Sequence, residues 1–129
     1  MSERGNDIEG LSSWLADQRV KVERFIYSQG VDHGPIPNGP EWFLPRGVSV
    51  WTVPSTLRPG PVGWWVVSTD VSTDWVSGFD ATDVRSAVAS LARHWTALAG
   101  STIGVGDLSA QIKTQADFLR NCAEDDRLW

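Results

Sequence analysis

The chain reads as an α+β protein: a small antiparallel sheet of two to four strands with three helices packed mainly on one face, in the order α-β-β-(β)-α-α. Three observations predict this. Apolar residues recur at helical spacing towards both ends, β-branched and aromatic residues alternate in the middle, and glycine and proline punctuate the stretches between. At 129 residues the chain has close to the commonest size for one domain and can bury a core without metal or disulfide. Residues 1–129 are therefore read as a single domain, with residues 1–6 flexible.

The spacing of Ile8, Leu11, Leu15, Val22 and Ile26 predicts a first helix over residues 7–29, capped by Asp7 and ended by Gly30. Residues 30–47 are too rich in glycine and proline for a helix or a central strand, but Glu41-Trp42-Phe43-Leu44 fits a short edge strand. Val48 to Val53 alternates and is β-rich, and Pro54 ends it. Residues 63–69 give the next strand, antiparallel to the first because the loop between them is too short for a helical crossover. Residues 74–77 give another after a tight turn at 70–73. Val84, Ala87, Val88, Leu91, Trp95 and Leu98 share a face of a helix over residues 82–99, with Asp80 and Asp83 at its start and Gly100 as its stop. After a loop from Ser101 to Gly106, a third helix over residues 107–124 is capped by Asp107 and turns Leu108, Ile112, Leu119 and Cys122 inward.

The formal net charge is −5, with two lysines, Lys21 and Lys113, and scattered arginines. That opposes nucleic-acid binding, which needs clustered cations against phosphate. The lone Cys122 cannot form an internal disulfide and fits a reducing compartment. The polar N-terminus has no secretory apolar run, and no window is apolar for long enough to span a bilayer, so no membrane is expected and the cytoplasm is inferred.

Eight tryptophans stand out, at 14, 42, 51, 64, 65, 75, 95 and 129. Consecutive strand residues point to opposite faces, so Trp64 and Trp65 make both faces of the hairpin apolar. One face is left to helices 7–29 and 82–99, and the other to the 30–47 loop and Trp129, or else it stays open as a binding patch. Trp14 and Trp95 lie at helical spacing with core residues and read as core. Trp42 and Trp75 sit beside turns and are the better candidates for an exposed role.

The run Gly63-Trp64-Trp65-Val66-Val67-Ser68-Thr69-Asp70, continuing to Thr73-Asp74-Trp75-Val76, and the tail Asp125-Asp126-Arg127-Leu128-Trp129 resemble a family of small uncharacterised bacterial proteins, a domain of unknown function. The chain carries Thr69 and Ser72 where that pattern has Gly and Pro. The resemblance implies a bacterial source and a similar fold, and it brings no activity.

Asp70 and Asp74 flank a turn with Ser68, Thr69, Ser72 and Thr73. Paired carboxylates can do acid/base work or hold a cation, but at a turn such residues more often satisfy backbone groups. His33 and His94 have no metal-ligand spacing, and Cys122 falls on an apolar stripe as an inert thiol would. No nucleophile elbow, P-loop or dinucleotide fingerprint occurs, and no metal or cofactor is expected. Surplus tryptophan and acidity favour a non-enzymatic protein-binding domain; its concrete form is an immunity or neutralising protein that binds a basic partner through Trp42, Trp75, Asp70, Asp74, Asp125, Asp126 and Trp129. The competing reading is a small-ligand cleft lined by Trp51, Trp64 or Trp65, Trp75 and His33, with Asp70 or Asp74 as polar anchor and a sugar or nucleobase stacked on indole, enzyme activity being a special case.

Overall fold

The computed structural model describes residues 3–45, 47–57, 62–101 and 106–129, and the side chains of all of these except residues 3–9, 101, 106 and 107. Helical and alternating periodicities become α1 (Glu3–Gln29), β1 (Trp42–Leu44), β2 (Val48–Val53), β3 (Trp64–Thr69), β4 (Thr73–Ser77), α2 (Val84–Ser101), α3 (Gly106–Glu124) and a terminal 3₁₀ turn, η1 (Asp126–Leu128). The four strands form one antiparallel sheet in the order β1-β2-β3-β4. The α+β class and the central block of strands are as the sequence predicts. The chain divides into two compact units, the first ending at Trp75 and the second starting at Val76.

In the first unit the register pairs Ser49 with Ser68, Trp51 with Val66 and Val53 with Trp64. These residues share one face of the sheet, and α1 lies on it: Val22 and Ile26 join Trp51, Val53 and Val66 in a fully buried cluster. Each such side chain contributes about 1.5–3 kcal/mol when removed from water. Val31 and Ile36, from the segment after α1, pack on the same cluster. Arg19 holds that segment down by donating to the carbonyls of Pro37 at 2.9 Å and Ile36 at 3.1 Å. The start of the proline-rich segment therefore reinforces the α1 face, while Trp42 and Leu44 of β1 register with Val50 and Val48 of the opposite one. The opposite face is no open patch either, since Val48, Val50, Trp65 and Val67 are all buried.

Two glycines are required by geometry. Gly30 ends α1 at a φ of 67°, the left-handed conformation that glycine adopts without strain. At Gly63 a Cβ would lie 2.5 Å from the backbone nitrogen of Ser55, so the loop closes on β3 only without a side chain there.

In the second unit α2 and α3 pack antiparallel. Arg85, at the start of α2, reaches the carbonyl of Ala123 near the end of α3, and Ser109, near the start of α3, donates to the carbonyl of Ala99 at 2.9 Å. Ala87, Val88, Leu91 and Trp95 of α2 are buried, as are Ala116, Leu119 and Cys122 of α3.

Several boundaries and orientations differ from the sequence reading. Helix α1 begins at Glu3, so Asp7 lies inside it. Gly100 lies inside α2, because alanine-rich sequence around it sustains the helix. The start of α2 is a reciprocal box between Asp83 and Ser86: the Asp83 carboxylate accepts from the Ser86 N–H at 2.7 Å and the Ser86 hydroxyl accepts from the Asp83 N–H at 3.2 Å. Asp107 lies inside α3, and most of the predicted loop before it falls outside the described residues. Leu98 and Leu108, expected inward, are 40% and 49% exposed. Each sits near the end of its helix.

Candidate functional site

The β3–β4 turn is built by side chains. The Thr69 hydroxyl accepts from the N–H groups of Val71 at 3.2 Å and Ser72 at 3.0 Å, and the Thr69 N–H donates to the Ser72 carbonyl at 2.8 Å. A hydroxyl thus closes the turn. Asp70, at the tip, points to α1. Its Oδ1 accepts from the Trp14 indole N–H at 3.1 Å and from Gln18 Nε2 at 3.3 Å, with the Lys21 ammonium 3.9 Å away. Lys21 also donates to the Thr69 carbonyl at 3.2 Å. Asp70 is thus the clamp between the turn and α1.

Behind it runs a buried polar chain. Trp51 Nε1 donates to Ser49 Oγ at 2.8 Å, and Ser49 Oγ donates to Gln18 Oε1 at 3.2 Å. Asp74 faces a different partner, accepting from the N–H of Trp75 at 2.8 Å. Trp14 is half-buried, with its N–H spent on Asp70, and is a surface tie in place of the expected core residue.

Trp75 stacks on Trp64, with centroids 5.4 Å apart and planes 17° from parallel, and meets Phe25 edge-on at 5.4 Å. Trp42 belongs to β1 and Trp75 to β4, at opposite edges of the sheet. Three strand spacings separate them, about 14 Å. The first-unit candidates Trp42, Trp75, Asp70 and Asp74 therefore do not converge on one patch. Of the indoles of the alternative cleft, Trp51 and Trp65 are buried, while Trp64 and Trp75 are half-buried. His33 Nδ1 lies 2.6 Å from the carbonyl of its neighbour Gly34.

In the second unit Asp125, Asp126 and Trp129 form a clasp. Asp125 caps η1 and accepts from the backbone and guanidinium of Arg127 at 3.1 and 2.9 Å. The guanidinium and then the backbone N–H of Arg127 hold its carboxyl below the ordinary value. Asp126 pairs with Arg85 at 2.5 Å, and the Arg85 Nε donates to the Ala123 carbonyl at 2.7 Å. Trp129 Nε1 donates to the Cys122 carbonyl at 3.0 Å, with the Arg85 guanidinium 6.0 Å from its ring centre. At the end of α3 the Ala123 carbonyl is thus taken by Arg85, and the Cys122 carbonyl accepts from both the Asp125 N–H at 3.2 Å and Trp129. Burial, and then Asp125, push the Cys122 thiol above its ordinary value, which makes it a poor nucleophile.

Between them α2 and α3 leave a groove of about 610 Å³, lined by Ala89, Ala92, Arg93, Thr96 and Ala97 of α2 and by Arg120, Ala123 and Glu124 of α3. Arg120 pairs with Asp117 at 2.8 Å, whereas Arg93 makes no ion pair with any described residue. Among the described residues no group of His, Cys, Asp and Glu could hold a metal ion, and no helix is long and apolar enough to cross a membrane.

The Trp-Trp strand, the clamped turn and the Trp-terminated tail are the parts that carried the family resemblance. A family described as Domain of unknown function (DUF4826) matches residues 9–129. The chain belongs to this family. No curated protein and no solved structure matches it. In this DUF4826 chain the tail and turn residues that carried the resemblance are engaged in holding the fold together. The sequence reading missed Arg85 and the α2–α3 groove. Arg85 had one signal: a cation in the first turn of a helix opposes the helix dipole, which suits a side chain recruited elsewhere. The groove had another, since Ala89, Ala92, Arg93, Thr96 and Ala97 repeat at helical spacing beside the core stripe.

Proposed function

We propose that this DUF4826 chain is a non-enzymatic protein-binding domain that works in the bacterial cytoplasm, and that its contact surface is the groove between α2 and α3. The observation that carries this reading is the groove itself: small apolar residues between two helices, walled by arginines on both sides. The state of the polar groups supports it. Asp70, Asp125 and Asp126 are engaged by Trp14, Gln18, Arg127 and Arg85, and the Cys122 thiol is buried with its pKa raised. Groups committed to the fold are poor candidates for proton transfer or nucleophilic attack. A lone buried thiol suits the reducing cytoplasm.

The neutralising-protein form, with a basic partner steered by the net charge of −5, places its carboxylates outside this groove and draws on long-range charge alone. The test is a photo-crosslinking residue placed at Ala97 in the full chain, expressed in its source cell. A discrete protein adduct that disappears when Ala89→Trp, at a half-buried lining position, fills the groove is expected. Adducts of unchanged pattern in the filled variant, or none at all, would rule out the groove as the contact surface.

A further inference from the structure

The groove's chemistry names the class of its occupant. We propose that it receives an amphipathic helix of a partner protein, with carboxylates flanking a narrow apolar stripe. This rests on the protein-binding reading above and goes a step beyond it.

Shape is the first argument. The groove runs between two antiparallel helices, and its floor is Ala89, Ala92, Ala97 and Ala123. Interaxial distance between packed helices runs over about 8–10 Å and is set by the side chains at the contact, so an alanine floor favours close approach. A third helix laid there would bury its apolar stripe as helix-in-groove recognition does.

Charge is the second. Arg93 projects from one wall and Arg120 from the other, on a chain whose net charge is −5. Arg120 shares its charge with Asp117, and Arg93 has no carboxylate partner among the described residues. A carboxylate on the occupant would give Arg93 the bidentate partner it lacks within the described residues and could share Arg120 with Asp117. The overall negative charge slows the approach of an acidic partner at long range but is screened beyond about 8–10 Å, so it does not decide the contact. Glu124 lies at the end of the groove nearest the start of α2. It disfavours a carboxylate there, so the helix should carry its acids over Arg93 and Arg120 and a neutral or basic residue beside Glu124.

The experiment uses the full chain and three synthetic helices of about five turns. All share one Ala/Leu stripe, with flanks of Glu, Lys or Gln, and binding is read by fluorescence anisotropy. The Glu-flanked helix should bind at least about tenfold more tightly than the Gln-flanked one. Arg93→Glu with Arg120→Glu should reverse the order of the Glu and Lys helices, Arg93→Gln should weaken the Glu helix alone, and Ala97→Trp should abolish all binding. Far-UV circular dichroism establishes that each variant is folded. Equal or tighter binding of the Lys or Gln helix to the unmodified chain overturns the acidic occupant and leaves the groove standing. Binding unaffected by Ala97→Trp, or no binding by any helix, removes the groove as well. Displacement of the Glu helix by decanoate at comparable concentration would make the occupant a small anionic amphiphile and overturn the protein partner.

Discussion

Arg85→Ala tests whether the C-terminal tail is a structural clasp or a free surface. The substitution removes three interactions at once: the donation to the Ala123 carbonyl, the pair with Asp126, and the cation over the Trp129 ring. A hydrogen bond made by a charged group is worth about 1.5–3 kcal/mol net when buried. Arg85 is 40% exposed at its side chain and Asp126 is 87% exposed, so their pair belongs at the surface value of about 0–1 kcal/mol. The exposed cation–ring contact adds about 0.5 kcal/mol. After discounting the first bond for partial exposure, the loss should be about 2 kcal/mol. Urea unfolding followed by tryptophan fluorescence would show it as a fall in midpoint of about 1 M.

Deleting residues 125–129 should have a similar effect, and Arg85→Ala should add little on top of the deletion, because both remove one coupled unit. A midpoint for Arg85→Ala within about 0.2 M of the unmodified chain would refute the clasp. So would full additivity of the two changes.

Three further outcomes follow from the same geometry. Ser49→Ala strips the buried Trp51 N–H and Gln18 Oε1 of their shared partner, and should lower stability by about 1–3 kcal/mol in the same urea assay; Ser49→Thr should recover part of it. Gly63→Ala forces a carbon to within 2.5 Å of the Ser55 nitrogen and should cost about 1–3 kcal/mol, whereas alanine at Gly39, where a Cβ meets nothing, should be near neutral. Asp83 and Asp125 have folded-state carboxyls held below the ordinary 3.8, by Ser86 and by Arg127 respectively. A depressed folded pKa contributes stability above the unfolded pKa and loses it as pH falls through the folded one. Stability should therefore drop as pH falls below about 4, and carboxyl-carbon NMR titration should find Asp83 raised by Ser86→Ala and Asp125 raised by Arg127→Ala.

The strands were legible because alternation is a local property: Val48–Val53 matches residue for residue, and Trp64 and Trp65 do lie on opposite faces. Helix ends were less so. Gly100 has the composition of a stop but needs no left-handed backbone, whereas Gly30 does. Side-chain roles were least legible, because they depend on partners far away in sequence. Gln18 sits on the apolar stripe of α1, and its partners Ser49 and Asp70 lie 31 and 52 residues on. Asp70 was singled out for its neighbours in the turn, and the structure gives it to α1. The tail was singled out for its charge and its indole, and both are answered by an arginine about forty residues earlier, on a helix whose periodicity says nothing about it.

Arg85 and Arg93 stand two turns apart on one helix, and the contrast between them separates structure from recognition. Arginine loses about 2 kcal/mol of side-chain entropy when fixed, so a fold that immobilises one must supply bonds in return. Arg85 receives a helix carbonyl, a carboxylate and an indole face. Arg93 is exposed on the groove wall and receives no ion pair within the described residues. Stability therefore gains little from it, and Arg93→Ala should leave the unfolding free energy from the urea assay unchanged to within about 0.5 kcal/mol. Were it to destabilise the chain as much as Arg85→Ala does, Arg93 would be a structural residue with an internal partner, and the cationic wall on which the acidic-helix proposal stands would be part of the fold's own bonding.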